Sequence, residues 1–261
     1  MQITDICVIL GVMLGFEEKT QSSSDETISR PEIVISGQEL LKVFNSGQFK
    51  LGVNTTAGKL SKADYDLESG SRIFRGLRDP KTTLVYSTDV SPLSVGVGKM
   101  EKQRVEKLVE AGNFPLIELH FHPLGRGRQA QLNAYIPTGA DLVALSEVRR
   151  QMQMNLGWDS YPLGVITIVK GLGNTDMILF QEVGPRPAEW SLLHYYEEDT
   201  NSNQSLQDTT DLLENYGFKA AIIPYTTAGV PKQAEDTVKS FAFKLSTIDT
   251  PSGIPNQSID F

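Results

Sequence analysis

The chain has 261 residues but only one cysteine, Cys7, and only three histidines. A single thiol can close no intrachain disulfide and build no cysteine-rich zinc knuckle, so any metal site must be assembled from His, Asp and Glu. Basic residues are also in short supply: 24 Lys and Arg face 32 Asp and Glu, leaving a net charge of −8. Nucleic acids and anionic membrane surfaces are bound through a basic face that displaces counterions, and this balance argues against both as general functions. No apolar run approaches the ~20 residues needed to span a bilayer. The longest candidate, Ile6 to Phe16, follows Asp5 instead of a cationic segment and has no small-residue cleavage pattern after it. It reads as a buried strand or docking segment, and the protein is expected to be intracellular and cytoplasmic.

What is present is the composition of a folded domain, 39% hydrophobic and 21% charged, which sets disorder aside for most of the chain. Residues 17–31 are polar and serine-rich, so residues 1–31 are read as an N-terminal segment and linker. The pattern over 32–187 is that of the main domain, and 188–261 is a C-terminal extension expected to pack on it. Within the domain, IVI is a short strand and Ser36 a helix N-cap before GQELLKVFN. From Ser46 to Leu77 the pattern is weak. Thr82 to Ser87 reads as a strand, Lys99 to Gly112 as an amphipathic helix capped by Gly112, and Phe114 to His122 as a strand stopped by Pro123. Thr138 caps a helix through GADLVALSEVRRQMQM, and strands at Gly164 to Val169 and Met177 to Glu182 flank a turn. Beyond a polar loop at 199–210, DLLENYGF predicts a short helix, AAIIPY a strand and KSFAFKLS a late strand. Alternating helix and strand signals predict an α/β (α+β) domain, a mixed sheet flanked by helices.

Two of the three histidines stand in ELHFHP, at 118–123. In a strand, alternate side chains share a face, so Glu118, His120 and His122 point the same way. Two imidazoles so placed can reach one cation, and Pro123 ends the ladder just beyond them. An isolated His-x-His is equally an ordinary polar pair on a half-buried strand. Downstream, Pro137-Thr138-Gly139-Ala140-Asp141 sets a hydroxyl and an acid at a helix start, where a carboxylate is favoured with or without a metal.

Together His120-Phe121-His122-Pro123 and Thr138-Gly139-Ala140-Asp141 resemble the JAMM (MPN+) metalloprotease motif, over roughly Glu32 to Glu182. The resemblance implies a JAB/MPN-like (cytidine-deaminase-like) core. It implies Zn2+ held by His120, His122 and Asp141, with Thr138 hydrogen-bonding the oxyanion and an upstream glutamate as general base. Glu68 in ESGSRIFRG is the choice for that base and Glu118 its rival. The activity implied is hydrolysis of peptide or isopeptide bonds, with ubiquitin or a ubiquitin-like protein as a substrate class. The other reading is an inactive MPN-type scaffold, a subunit of a larger complex. Two departures stand out: Phe121 lies between the histidines where the family has Ser or Thr, and the gap from His122 to Asp141 is long. Elsewhere, His194 reads as part of an aromatic cluster. Arg126, Arg128, Arg149 and Arg150 read as surface charges, with reception of an acidic substrate as the alternative.

Overall fold

The computed structural model describes residues 32–62, 69–76, 81–86, 104, 107–122, 134–156, 158–171, 174–183 and 205–247. The first elements follow local rules. Strand β1 (Glu32–Ile35) leads into helix α1 (Gly37–Phe44), where Ser36 and Glu39 form a reciprocal capping box, as Ser36 predicts. Helix α2 (Gly47–Lys62) and strand β2 (Ser69–Gly76) occupy the stretch where the sequence pattern is weak. The sequence of α2 carries glycines and β-branched residues, poor helix formers, and the helix is held instead by Phe49 and Val53 packing into the core. In β2 the consecutive residues Ile73 and Phe74 are both buried, which breaks the period-2 alternation that would mark a strand in the sequence. The register against β4 also shifts here, with Leu116 of β4 as the extra residue.

Strands β3 (Thr82–Tyr86) and β4 (Asn113–His122) come next, with Gly112 at φ 76° ending the turn before β4. Helix α3 (Gly139–Leu156) then connects β4 to a short strand β5 (Trp158–Ser160) and to the hairpin of β6 (Leu163–Gly171) and β7 (Asn174–Glu182). Helix α4 (Leu206–Asn215) starts ahead of DLLENYGF because Ser205 makes a second capping box with Asp208. Strand β8 (Phe218–Thr226), a 3-10 turn (Lys232–Ala234), helix α5 (Glu235–Lys239) and strand β9 (Phe243–Thr247) complete the described chain. The last strand begins later than KSFAFKLS suggests, since Lys239 closes α5.

Among the described residues six strands form one mixed sheet in the order β3-β2-β4-β6-β7-β8, and three more form a second sheet, β1-β9-β5. The residues beyond 187 supply β8, paired with β7, and β9, which lies between β1 and β5. Among the described strands of the large sheet only β4 and β6 are parallel, with Ile117 beside Leu163 and His122 beside Ile168. Parallel neighbours need a crossover, and α3 lies within it. The two sides of the sheet are covered separately. Ile117, Leu119, Phe121, Val165 and Leu179 join an apolar cluster with α1, α2 and β9. Ile166, Ile168, Ile178 and Phe180 join another with Leu142 and Leu145 of α3 and Leu213 of α4. The architecture is therefore mixed α/β, with open mixed sheets flanked by helices. By strand alternation His120 and His122 belong to the α3 side, at the carboxyl end of β4.

Candidate metal centre

The approach of Asp141 to the histidines follows from the crossover. Helix α3 packs its first turn over the end of β4, and its start is tightly capped. Thr138 N and Thr138 Oγ1 donate to Asp141 Oδ2 at 2.7 and 2.8 Å, while Asp141 N donates back to Thr138 Oγ1 at 3.2 Å. This is the capping-box exchange with Asp at the third helical position. It fixes the carboxylate of a residue that sequence reasoning places in the first turn.

One donor atom from each of His120, His122 and Asp141 lies within 4.8 Å of the others. His120 Nδ1 stands 2.6 Å from Asp141 Oδ1. A carboxylate can only accept, so Nδ1 carries the proton, and a cation shared by His120 and Asp141 would take that proton's place. His122 Nδ1 is 3.2 Å from the carbonyl of Ala134, which also only accepts. The same logic puts the proton of His122 on Nδ1 and its lone pair on Nε2. That atom is buried and has no hydrogen-bond partner among the described residues. It lies 3.4 Å from Asp141 Oδ2, within ion-pair range but not aligned as a hydrogen bond.

This arrangement fits a cation. Two ligands each ~2.0–2.1 Å from a tetrahedral zinc stand about 3.4 Å apart, close to the spacing of His122 Nε2 and Asp141 Oδ2. A buried nitrogen lone pair without a donor is costly in an apolar setting unless something electrophilic meets it. Proton placement on the far ring nitrogen by a carbonyl, as Ala134 does for His122, is also how metal-binding histidines are commonly oriented. Burial pushes the Asp141 carboxyl up, but the adjoining imidazoles of His120 and His122 outweigh it and hold the group well below the usual carboxylate range. Asp141 is thus ionised, as a metal ligand must be. The set of two imidazoles and a carboxylate suits several divalent metals, and the geometry does not choose among them.

The other expected residues divide. Glu68 lies outside the described residues, as do His194, Arg126 and Arg128. Ser69, the residue that follows Glu68 in sequence, pairs with Phe121, and Gly70 pairs with His120. Glu118 is on the histidine face, yet its carboxylate is engaged by Arg72 Nε across the β2–β4 pair. Thr138 is at the site with its hydroxyl committed to Asp141.

Arg149 corrects its reading as a surface charge. It is buried, and its guanidinium grips Asp159 in two-pronged fashion at 2.7 and 3.1 Å. The same group donates to Glu182 at 2.8 Å and to the Tyr161 hydroxyl at 2.7 Å. Ser146 donates to the other Glu182 oxygen, and Gln153 to Asp159 at 2.8 Å. The only hint in the sequence is an Arg on the helix face opposite its polar neighbours, and nothing local names the distant carboxylates.

No helix among the described residues is long and apolar enough to cross a membrane. A scan against protein-family models finds no match to this chain, and a search of the curated proteins finds none either.

Proposed function

We propose that the chain is a zinc-dependent hydrolase of peptide or isopeptide bonds, of JAMM type on a JAB/MPN-like core. The observation that carries this reading is the buried, unpartnered His122 Nε2 facing Asp141 Oδ2 at 3.4 Å, beside His120, at the carboxyl end of a parallel strand. The order of strand with His-x-His-Pro and helix opening with hydroxyl-x-x-Asp supports the family reading.

His120, His122 and Asp141 would hold the ion. When bound, zinc supplies Lewis acidity, bringing a water's pKa toward ~7 and polarising a carbonyl. The protein's own groups do the rest. The Ala134 carbonyl keeps the His122 proton on Nδ1, so Nε2 faces inward. Thr138 holds Asp141 in place, and its hydroxyl would donate to an oxyanion once it is released from Oδ2. Glu68 is assigned the general-base role of removing the water proton and returning it to the leaving amine. Its support is the adjacency of the following β2 residues to Phe121 and His120, and the engagement of the rival Glu118 by Arg72. By the same resemblance, ubiquitin or a ubiquitin-like protein is the substrate class.

The test is the metal itself. Freshly purified protein should carry about one zinc per chain by elemental analysis, and Glu68→Gln should keep that zinc while losing cleavage of a fluorogenic ubiquitin conjugate. Absence of zinc at saturating supply would overturn the reading.

A further inference from the structure

Exposure changes along the α3-side face of β4. The His122 and Asp141 side chains are only 6% and 7% exposed, while those of His120, Glu118 and Arg72 are 25%, 18% and 23% exposed. The histidine cluster is therefore open on its His120 flank, toward the Arg72–Glu118 pair, and closed on its His122 flank. Next to His120 on β2 stands Gly70, which has no side chain to fill that face. Two residues farther along, Arg72 pairs with Glu118.

Glu118 Oε1 takes the guanidinium through Nε. Among the described residues no hydrogen bond reaches the Nη1 or Nη2 groups of Arg72, or Oε2 of Glu118. The pair is neutral overall, with donors on one side and an acceptor on the other. A peptide group has the complementary pattern, one carbonyl to accept and one N–H to donate. A net-neutral pair offers little to a second carboxylate, because Glu118 repels what Arg72 attracts.

We infer that Arg72 and Glu118 form a substrate-binding pair that takes a backbone amide of the peptide substrate, with Arg72 donating to its carbonyl and Glu118 accepting from its N–H. The pair lies two strand residues from His120, about 6.6 Å along β4. It therefore takes an amide one to two residues from the bond that is cut. The inference rests on the metal-hydrolase reading and deepens it by making the substrate an extended peptide chain lying along β4.

Hydroxamates, which anchor to a bound zinc, separate the two claims. The probes are N-acetyl-alanyl-alanine hydroxamate, heptanohydroxamate of similar length without amides, and adipic monohydroxamate with a terminal carboxylate. Isothermal titration of the zinc-loaded full chain should show the peptidyl probe binding about tenfold tighter than the alkyl one, near the worth of one hydrogen bond. In the Arg72→Gln/Glu118→Gln double variant that advantage should vanish while alkyl binding stays. The peptidyl probe should also shift the Arg72 Nε–H resonance in NMR spectra of the wild type. Equal binding of peptidyl and alkyl probes to wild type overturns this inference alone, as does preference for the carboxylate probe. Failure of all three probes to bind overturns the metal reading with it.

Discussion

Helix α3 carries two buried polar clusters, one at its start and one past its middle, and they are built in opposite ways. Around Arg149, four carboxylate oxygens of Asp159 and Glu182 all receive donors from Arg149, Gln153 or Ser146. Around Asp141, the carboxylate is satisfied, yet the buried Nε2 of His122 has no hydrogen-bond partner among the described residues. A complete network anchors α3 to β5 and β7, because leaving a buried charge unpaired is expensive. The incomplete one keeps an electron pair available, which stability alone would not select. On the proposed reading, the difference assigns the Arg149 cluster to structure and the Asp141 cluster to chemistry.

The assignment can be broken by substitutions that should act on one cluster only. The largest effect is expected for Asp141→Ala, which should reduce zinc affinity by more than about 100-fold, beyond what losing an outer partner does; elemental analysis after dialysis reads it. Arg149→Met should leave zinc binding intact but strand two carboxylates, lowering stability by roughly 3–5 kcal/mol in urea unfolding. Loss of zinc in a folded Arg149→Met protein would mean that the two clusters are not separable. Thr138→Val removes the hydroxyl that holds Asp141 and should weaken zinc binding about 10- to 100-fold by competition with a chelating dye.

A sharper contrast comes from His122→Leu in zinc-free protein. It removes an unsatisfied nitrogen along with one bond to Ala134, and these offset each other, so unfolding free energy should move by less than about 1 kcal/mol. A large destabilisation would make His122 a structural residue. The smallest effect concerns acid. Burial pushes the Asp159 carboxyl up, but Arg149 outweighs this and holds it below its ordinary value. A carboxyl depressed in the folded state contributes stability above about pH 4 and loses it as pH falls through the folded value. The gap in Tm between wild type and Arg149→Met should therefore narrow below about pH 4 in thermal scans.

Where the sequence was legible, the rule in play was short in range. Ser36 and Thr138 act on amides three residues away, and Gly112 on its own φ, so these boundaries could be read directly. The alternation that puts His120 and His122 on one face is equally local. By contrast α2 and β2 were obscured because tertiary packing overrides weak helix propensity in one and burial of both Ile73 and Phe74 breaks the alternation of the other. Arg149 looked like a surface charge because its partners Asp159 and Glu182 lie 10 and 33 residues away. Arg72 carried no signal at all until the β2–β4 register set it opposite Glu118.

By itself the sequence determined the ingredients of the site: two histidines on one strand face, a proline to end the strand, and a hydroxyl and an acid at a helix start. Capping and strand periodicity act within a few residues, so they are written in the local order of side chains. Only the tertiary structure decided that the helix start lies over the strand end, with Asp141 against His120 and His122 21 and 19 residues upstream. That meeting depends on parallel pairing of β4 with β6 and on apolar packing of α3 against the sheet, interactions between residues far apart in the chain.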